Sequence, residues 1–268
     1  MSRVYVIFGE PGTGKTTWAL SGAKPVHYFE FDSGSFARAA EALRLSEGDV
    51  DLYQYPAPLT NLMDPGKLAV GQRGGYAPIT GHTLSGWMDI FWGFVKDYLD
   101  ALAQPGYAVI DTDTKFYLAD RQAFLEQVQE AVGVESDRLN ALQYTEPLAR
   151  KSQVMDAARQ KNRDLILIAH EKEVYLNDKP TGQLIPDTHK ETVAVADCVL
   201  RFSLRDRKPV ATIYKAGTGG LELIGREIEE PTIGSVTAIL DAAAKVRRAG
   251  MPIPDSNSDL LELAEGLG

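Results

Sequence analysis

Apolar positions along this chain fall into short continuous runs separated by amphipathic segments. That is the pattern of strands buried on both faces alternating with helices. Val4 to Phe8 is a β-branched and aromatic run ending at Gly9, which predicts a buried strand. Lys15 to Ser21 predicts a short helix, Val26 to Phe31 a second strand, and Phe36 to Leu45, rich in Ala, Leu and Glu, a second helix. Val50 to Tyr55 predicts a third strand, and Leu84 to Leu102 a helix stopped by Pro105-Gly106. Tyr107 to Ile110 predicts a strand ending at Asp111, and Leu165 to Ile168 another ending at Ala169-His170. Phe116 to Ala131 and Pro147 to Gln160 read as amphipathic helices between them. Cys198 to Leu204 and Val210 to Tyr214 flank Arg205-Asp-Arg-Lys208 as a β-hairpin, and Ser235 to Arg248 reads as a helix.

Three stretches depart from this alternation. Residues 57–81 hold Pro58, Pro65, Pro78 and five glycines without a period, which predicts an insertion. Residues 171–192 are polar, with Pro180, Gly182 and Pro186, and predict a second long loop. Asp255 to Gly268 carries Asp255, Asp259, Glu262 and Glu265 and no basic residue, which predicts a mobile acidic tail. There is no internal repeat and no evident linker, so the expected organisation is one domain over residues 1–250 followed by a tail over 251–268.

Alternating strands and helices imply an α/β fold: a mostly parallel central sheet with helices on both faces, here with a C-terminal β-hairpin. Ligands of such sheets bind beyond the carboxyl ends of the strands. Gly9, Asp32, Asp111 and His170 all follow strand ends.

Composition narrows the function classes. Of 268 residues, 44% are hydrophobic and 24% charged, which excludes wholesale disorder and fibrous classes. Cys198 is the only cysteine, so an internal disulfide and a cysteine zinc site are excluded, and His27, His82, His170 and His189 are too scattered for zinc spacing. The N-terminal apolar run is too short for a signal peptide, and no segment reaches the roughly 20 apolar residues of a membrane helix. The expectation is a cytoplasmic protein without a membrane partner.

Gly9-Glu10-Pro11-Gly12-Thr13-Gly14-Lys15-Thr16 matches G-x-x-x-x-G-K-[ST] in full, after an apolar strand and before a helix. Such a loop, extended to Thr17, wraps a phosphate chain with backbone N–H groups at a helix N-terminus. Lys15 is placed to reach the outer phosphates and Thr16 to hold Mg²⁺. Asp111, at a strand end, suits the second Mg²⁺ element; Asp113 competes with it, and a helix-capping Asp is the other reading. Hydrolysis also needs a residue that orients water. Glu30 and Asp32 lie on one face of the second strand by alternation, with Asp32 nearer its end; an Asx-turn with Ser33-Gly34 is the alternative for Asp32. His170 is placed to sense the terminal phosphate, or is an ordinary surface or core histidine.

This order of motifs resembles the RecA-like ATPase core, and most closely the small phage recombination ATPases of the Sak-four group: phosphate loop, acidic residue after the next strand, Val109-Ile-Asp-Thr112, Leu165-Ile-Leu-Ile-Ala-His-Glu171, and a hairpin leading to Lys215. The resemblance covers residues 3 to 225 as spaced motifs. It implies an ATP- and Mg²⁺-dependent ATPase acting on single-stranded DNA in recombination or annealing, assembled as a ring or filament, in the host cytoplasm if phage-encoded. By position, Asp32 matches the catalytic glutamate, one carbon shorter. His170 matches the switch preceding a DNA-binding loop over 171–192, and Lys215 matches a basic finger that reaches a neighbouring subunit's nucleotide.

Charge bears on the DNA expectation. The formal net charge is −9, yet residues 138–215 hold 14 Lys+Arg against 10 Asp+Glu, a net of +4, leaving −13 elsewhere. Arg150, Lys151, Lys172, Lys179, Lys190 and Tyr175 offer a basic groove with an aromatic for base stacking. Two other functions stay open: a nucleotide-dependent assembly protein with slow or no hydrolysis acting on a protein partner, and a small-molecule kinase whose lid would be the 57–81 segment with only Lys67 and Arg73.

Overall fold

A computed structural model describes residues 2–58, 85–132, 139–217 and 220–267. The 57–81 insertion expected from the sequence therefore lies almost wholly outside the described residues. Strand β1 (Val4–Gly9) leads into α1 (Lys15–Ala19), followed by β2 (Val26–Glu30), α2 (Ser35–Leu43) and β3 (Val50–Gln54). After the undescribed segment come α3 (Trp87–Leu102), β4 (Tyr107–Asp111), α4 (Asp113–Val132), α5 (Thr145–Gln160) and β5 (Leu165–Ile168). The chain then forms β6 (Glu171–Leu176), β7 (Lys179–Pro186), α6 (Lys190–Val195), β8 (Cys198–Arg205) and β9 (Lys208–Ala216). It ends with β10 (Glu227–Glu229), α7 (Ile233–Arg248) and α8 (Asn257–Gly266).

Among the described residues the main sheet has eight strands in the order β10-β9-β8-β1-β5-β4-β2-β3. From β8 to β3 all neighbours pair in parallel; β8, β9 and β10 pair antiparallel at the other edge. This is the α/β class and the C-terminal hairpin expected from the sequence. Alternation within β1 sends Tyr5 and Ile7 into one apolar cluster, with Trp18 and residues of α2, α7 and α8. It sends Val4, Val6 and Phe8 into the other, with Phe91, Phe94, Phe116 and Met155 of α3, α4 and α5. Parallel strands covered on both faces read as unbroken apolar runs, which is why these elements were visible in the sequence.

The 171–192 segment is not a loop. β6 and β7 form a separate antiparallel arm, turned at Asn177 and Asp178, both with positive φ (50° and 60°), and α6 follows. Two residues in that conformation make the tight turn that matches strand twist. Pro180 and Gly182 are tolerated because each strand of the arm pairs on one side only. The C-terminal segment is not a loose tail either. Leu260 and Ala264, one helical turn apart, are buried against α7, and the Ser256 hydroxyl caps the helix by accepting from Asp259 N at 3.0 Å. Asp259, Glu262 and Glu265 occupy other positions of α8 and Asp255 precedes it, so charge content concealed an amphipathic helix.

Candidate nucleotide-binding site

Register brings the predicted residues together. In the sheet Glu30 lies beside Asp111, Asp111 beside Ile168, and Ile168 beside Ile7, so four strands end side by side. These strand ends and the segments leaving them carry Asp32, Asp111, His170 and the Gly9–Thr17 loop. They surround a cavity of about 380 Å³ lined by Lys15, Thr16, Asp32, Arg38, Asp111 and His170 among others.

The loop is shaped by its glycines. A Cβ on Gly9 would stand 2.2 Å from the Phe202 carbonyl oxygen, so β1 approaches β8 more closely than any side chain permits. Gly14 takes φ 91° as the N-cap of α1, turning the chain into the helix. Pro11, Gly12, Gly14, Lys15, Thr16 and Thr17 line the cavity; Gly9, Glu10 and Thr13 shape the loop from behind, with Thr13 Oγ1 donating to Glu10 O at 2.8 Å. Lys15 Nζ donates to the Gly9 and Glu10 carbonyls at 2.7 and 2.6 Å, folding the ammonium onto its own loop. Burial lowers its pKa, opposed by the carboxylates of Asp111, Glu171 and Glu10.

Asp111 is the best-held acid of the site. Its Oδ2 accepts from Thr16 Oγ1 at 3.1 Å, Ser35 Oγ at 2.8 Å and the Tyr28 hydroxyl. Burial raises its pKa, and these hydrogen bonds pull it back. Thr16 and Asp111 thus present a hydroxyl and a carboxylate side by side, the hard oxygen donors that suit Mg²⁺. Among the described residues no group of three or more His, Cys, Asp or Glu converges at metal distance. Asp113, the competing acid, points elsewhere: it is fully buried and accepts from Lys151 Nζ at 2.7 Å.

Asp32 and His170 both line the cavity and meet there, Oδ2 to Nε2 3.5 Å apart. Glu30 is not in the cavity. Its Oε1 accepts from the backbone N–H of Gly34 and Phe36 at 3.1 and 3.2 Å, and its Oε2 from Gln54 Nε2 at 2.7 Å. It holds the N-terminus of α2 from inside the strand. Lys215 is also away from the cavity. Its Nζ donates to the carbonyls of Val193, Ala194 and Ala196 at 2.5 to 2.9 Å, closing the C-terminus of α6.

Comparison with models of known protein families and with curated proteins gives no match. Among solved structures, the chain is similar to the crystal structure of the RadB recombinase, at 16% identity and TM-score 0.46 over 85% of this chain and 86% of that one. It is also similar to a KaiC-like protein of the hyperthermophilic archaeon Pyrococcus horikoshii, at 14% identity and TM-score 0.45 over 85% and 84%.

The basic groove expected over 138–215 is not formed as the charges suggest. Lys151 is 2% exposed and locked to Asp113; Arg150 is held by Asp120 and Glu146, and Lys172 by Asp187. Three of the basic side chains counted in the sequence are thus paired with acids, whereas Lys179 and Lys190 stay exposed. At its tip the β6–β7 arm presents Tyr175 and Leu176, 63% and 67% exposed, with Lys179 beside the turn. Sequence reasoning missed Tyr28 and Ser35, which fix Asp111, and Arg38, which lines the cavity. Alternation with Glu30 was the one available signal for Tyr28; an arginine on an exposed helix face carries none. Among the described residues no helix is long and apolar enough to cross a membrane.

Proposed function

We propose that this chain binds ATP with Mg²⁺ in the phosphate-loop cavity and hydrolyses it, as a RecA-like ATPase acting on single-stranded DNA in recombination or annealing. The observation that carries the nucleotide reading is the meeting of Thr16 and Asp111, 95 positions apart, beside Lys15 in one cavity. The loop's backbone N–H groups and Lys15 receive the phosphates; for that, Lys15 exchanges two carbonyl acceptors for phosphate oxygens. Thr16 and Asp111 hold Mg²⁺, which supplies charge neutralisation along the phosphate chain. Asp32, half exposed at the cavity mouth, orients the attacking water.

The DNA part of the proposal rests on the arm that follows His170. Tyr175 at its tip is a stacking platform, and base stacking on an aromatic tolerates any sequence. His170 joins the two regions: its backbone N–H lies 3.4 Å from Thr114 Oγ1, and its carbonyl accepts from Asp187 N at 2.7 Å at the base of the arm. A ring or filament of copies belongs to the same proposal. A second reading, a nucleotide-dependent assembly protein with slow turnover, is favoured by the short reach of Asp32 and by the engagement of Lys215 within its own chain.

The deciding experiment is ATP turnover with and without single-stranded DNA, for the wild type and Lys15→Ala, with mass photometry in parallel. Turnover that rises with DNA and is lost in Lys15→Ala supports the ATPase. Nucleotide uptake with negligible turnover supports the assembly protein. No nucleotide uptake overturns both.

A further inference from the structure

The cavity has a second cation that neither the motif nor the resemblance supplies. Arg38, in the first turn of α2, lines the same cavity as the Gly9–Thr17 loop. Its Nη1 lies over Gly34, 3.6 Å from where a Cβ on that glycine would stand, beside the turn that carries Asp32. Glu30 fixes the start of the helix from below, so Arg38 is displayed on a braced element. Among the described residues it has no ion pair and no hydrogen bond, and it is exposed.

Charge balance shows why this matters. Besides His170, the ionisable side chains lining the cavity are Lys15 and Arg38 against Asp32 and Asp111. Without Arg38 the lining carries more negative than positive charge, a poor host for a polyanion even with a divalent cation. Lys215, the second cation expected from the sequence, is closed onto the α6 carbonyls.

We propose that Arg38 is a phosphate-binding residue of this site, clasping the phosphate chain from α2 in the same chain. The inference rests on the nucleotide reading above. A guanidinium offers a planar fork of donors that matches a pair of phosphate oxygens, where an ammonium offers a point charge. Lys15 and the loop N–H groups line the same cavity and hold the same chain of phosphates. The site is then completed by one chain's own residues.

Titration calorimetry with ATP and Mg²⁺, and with inorganic tripolyphosphate as competitor, tests this on the wild type, Arg38→Ala and Arg38→Lys. Arg38→Ala is expected to weaken both ligands at least tenfold, the scale of a lost charge-assisted contact, and Arg38→Lys to recover part of the loss. The melting temperature without ligand stays unchanged, because the side chain is exposed and unpartnered. Wild-type uptake of ATP with Arg38→Ala within twofold of it overturns this inference and leaves the nucleotide reading standing. A loss for ATP but not for tripolyphosphate also overturns it, moving Arg38 to the nucleoside. If the wild type binds neither ligand, the nucleotide reading falls and takes this inference with it.

Discussion

His170 Nε2 stands 3.5 Å from Asp32 Oδ2, each group borne just beyond the end of a different strand, with side chains 43% and 46% exposed. At that exposure an ion pair contributes roughly 0–1 kcal/mol even when the histidine is charged. The contact is therefore easily exchanged, which the role proposed for Asp32 requires. Asp32→Asn is expected to lower kcat for ATP by about 100-fold, the low end of general-base effects, while calorimetric ATP affinity stays within a few-fold. An unchanged kcat would remove Asp32 from the reaction.

Glu30 sits two residues before Asp32 and does different work. It is 4% exposed and accepts two backbone N–H groups of α2 as well as Gln54. Glu30→Ala leaves those donors without their acceptor inside the protein, at a cost on the order of 2–3 kcal/mol. Urea unfolding is expected to show that loss. A variant with native stability and lost turnover would instead place Glu30 in the chemistry.

Leu260 tests whether α8 belongs to the core. It is fully buried against α7. Leu260→Ala is expected to destabilise by about 2–5 kcal/mol, the range for emptying a buried leucine site. A loose acidic tail would show no change in melting temperature.

Asp120 predicts a pH dependence. Burial pushes its pKa up from the ordinary 3.8 to about 7, with Arg150 opposing the rise. A native-state value above the unfolded one means the folded protein holds the proton more tightly. Its contribution to stability is then full at low pH and is lost as pH rises through the window from about 4 to 7. The stability difference between wild type and Asp120→Asn, read by chemical unfolding across that range, is expected to shrink in the wild type's disfavour and level off above it. A flat difference would contradict the assignment.

The helices and strands were legible where the chain is most regular. Val4 to Phe8, Tyr107 to Ile110 and Leu165 to Ile168 are apolar throughout because parallel strands are covered on both faces. The Gly9–Thr17 loop was legible because its geometry depends on glycines within a few positions of one another. The β6–β7 arm was hidden because proline and glycine usually punctuate structure, and an arm paired on one side tolerates them. Helix α8 was hidden because its charges outnumber its buried leucines.

By itself the sequence determined the order of strands and helices, the loop before α1, and which polar residues follow strand ends. Those properties depend on neighbours a few positions away. Tertiary structure alone decided which charges remain available. Lys151 meets Asp113, Glu30 meets Gln54, and Lys215 meets the end of α6, so none of them reaches the cavity. Arg38 meets no described partner and lines it. Pairing across tens or hundreds of positions is set by strand order and packing, and no local pattern of residues encodes it.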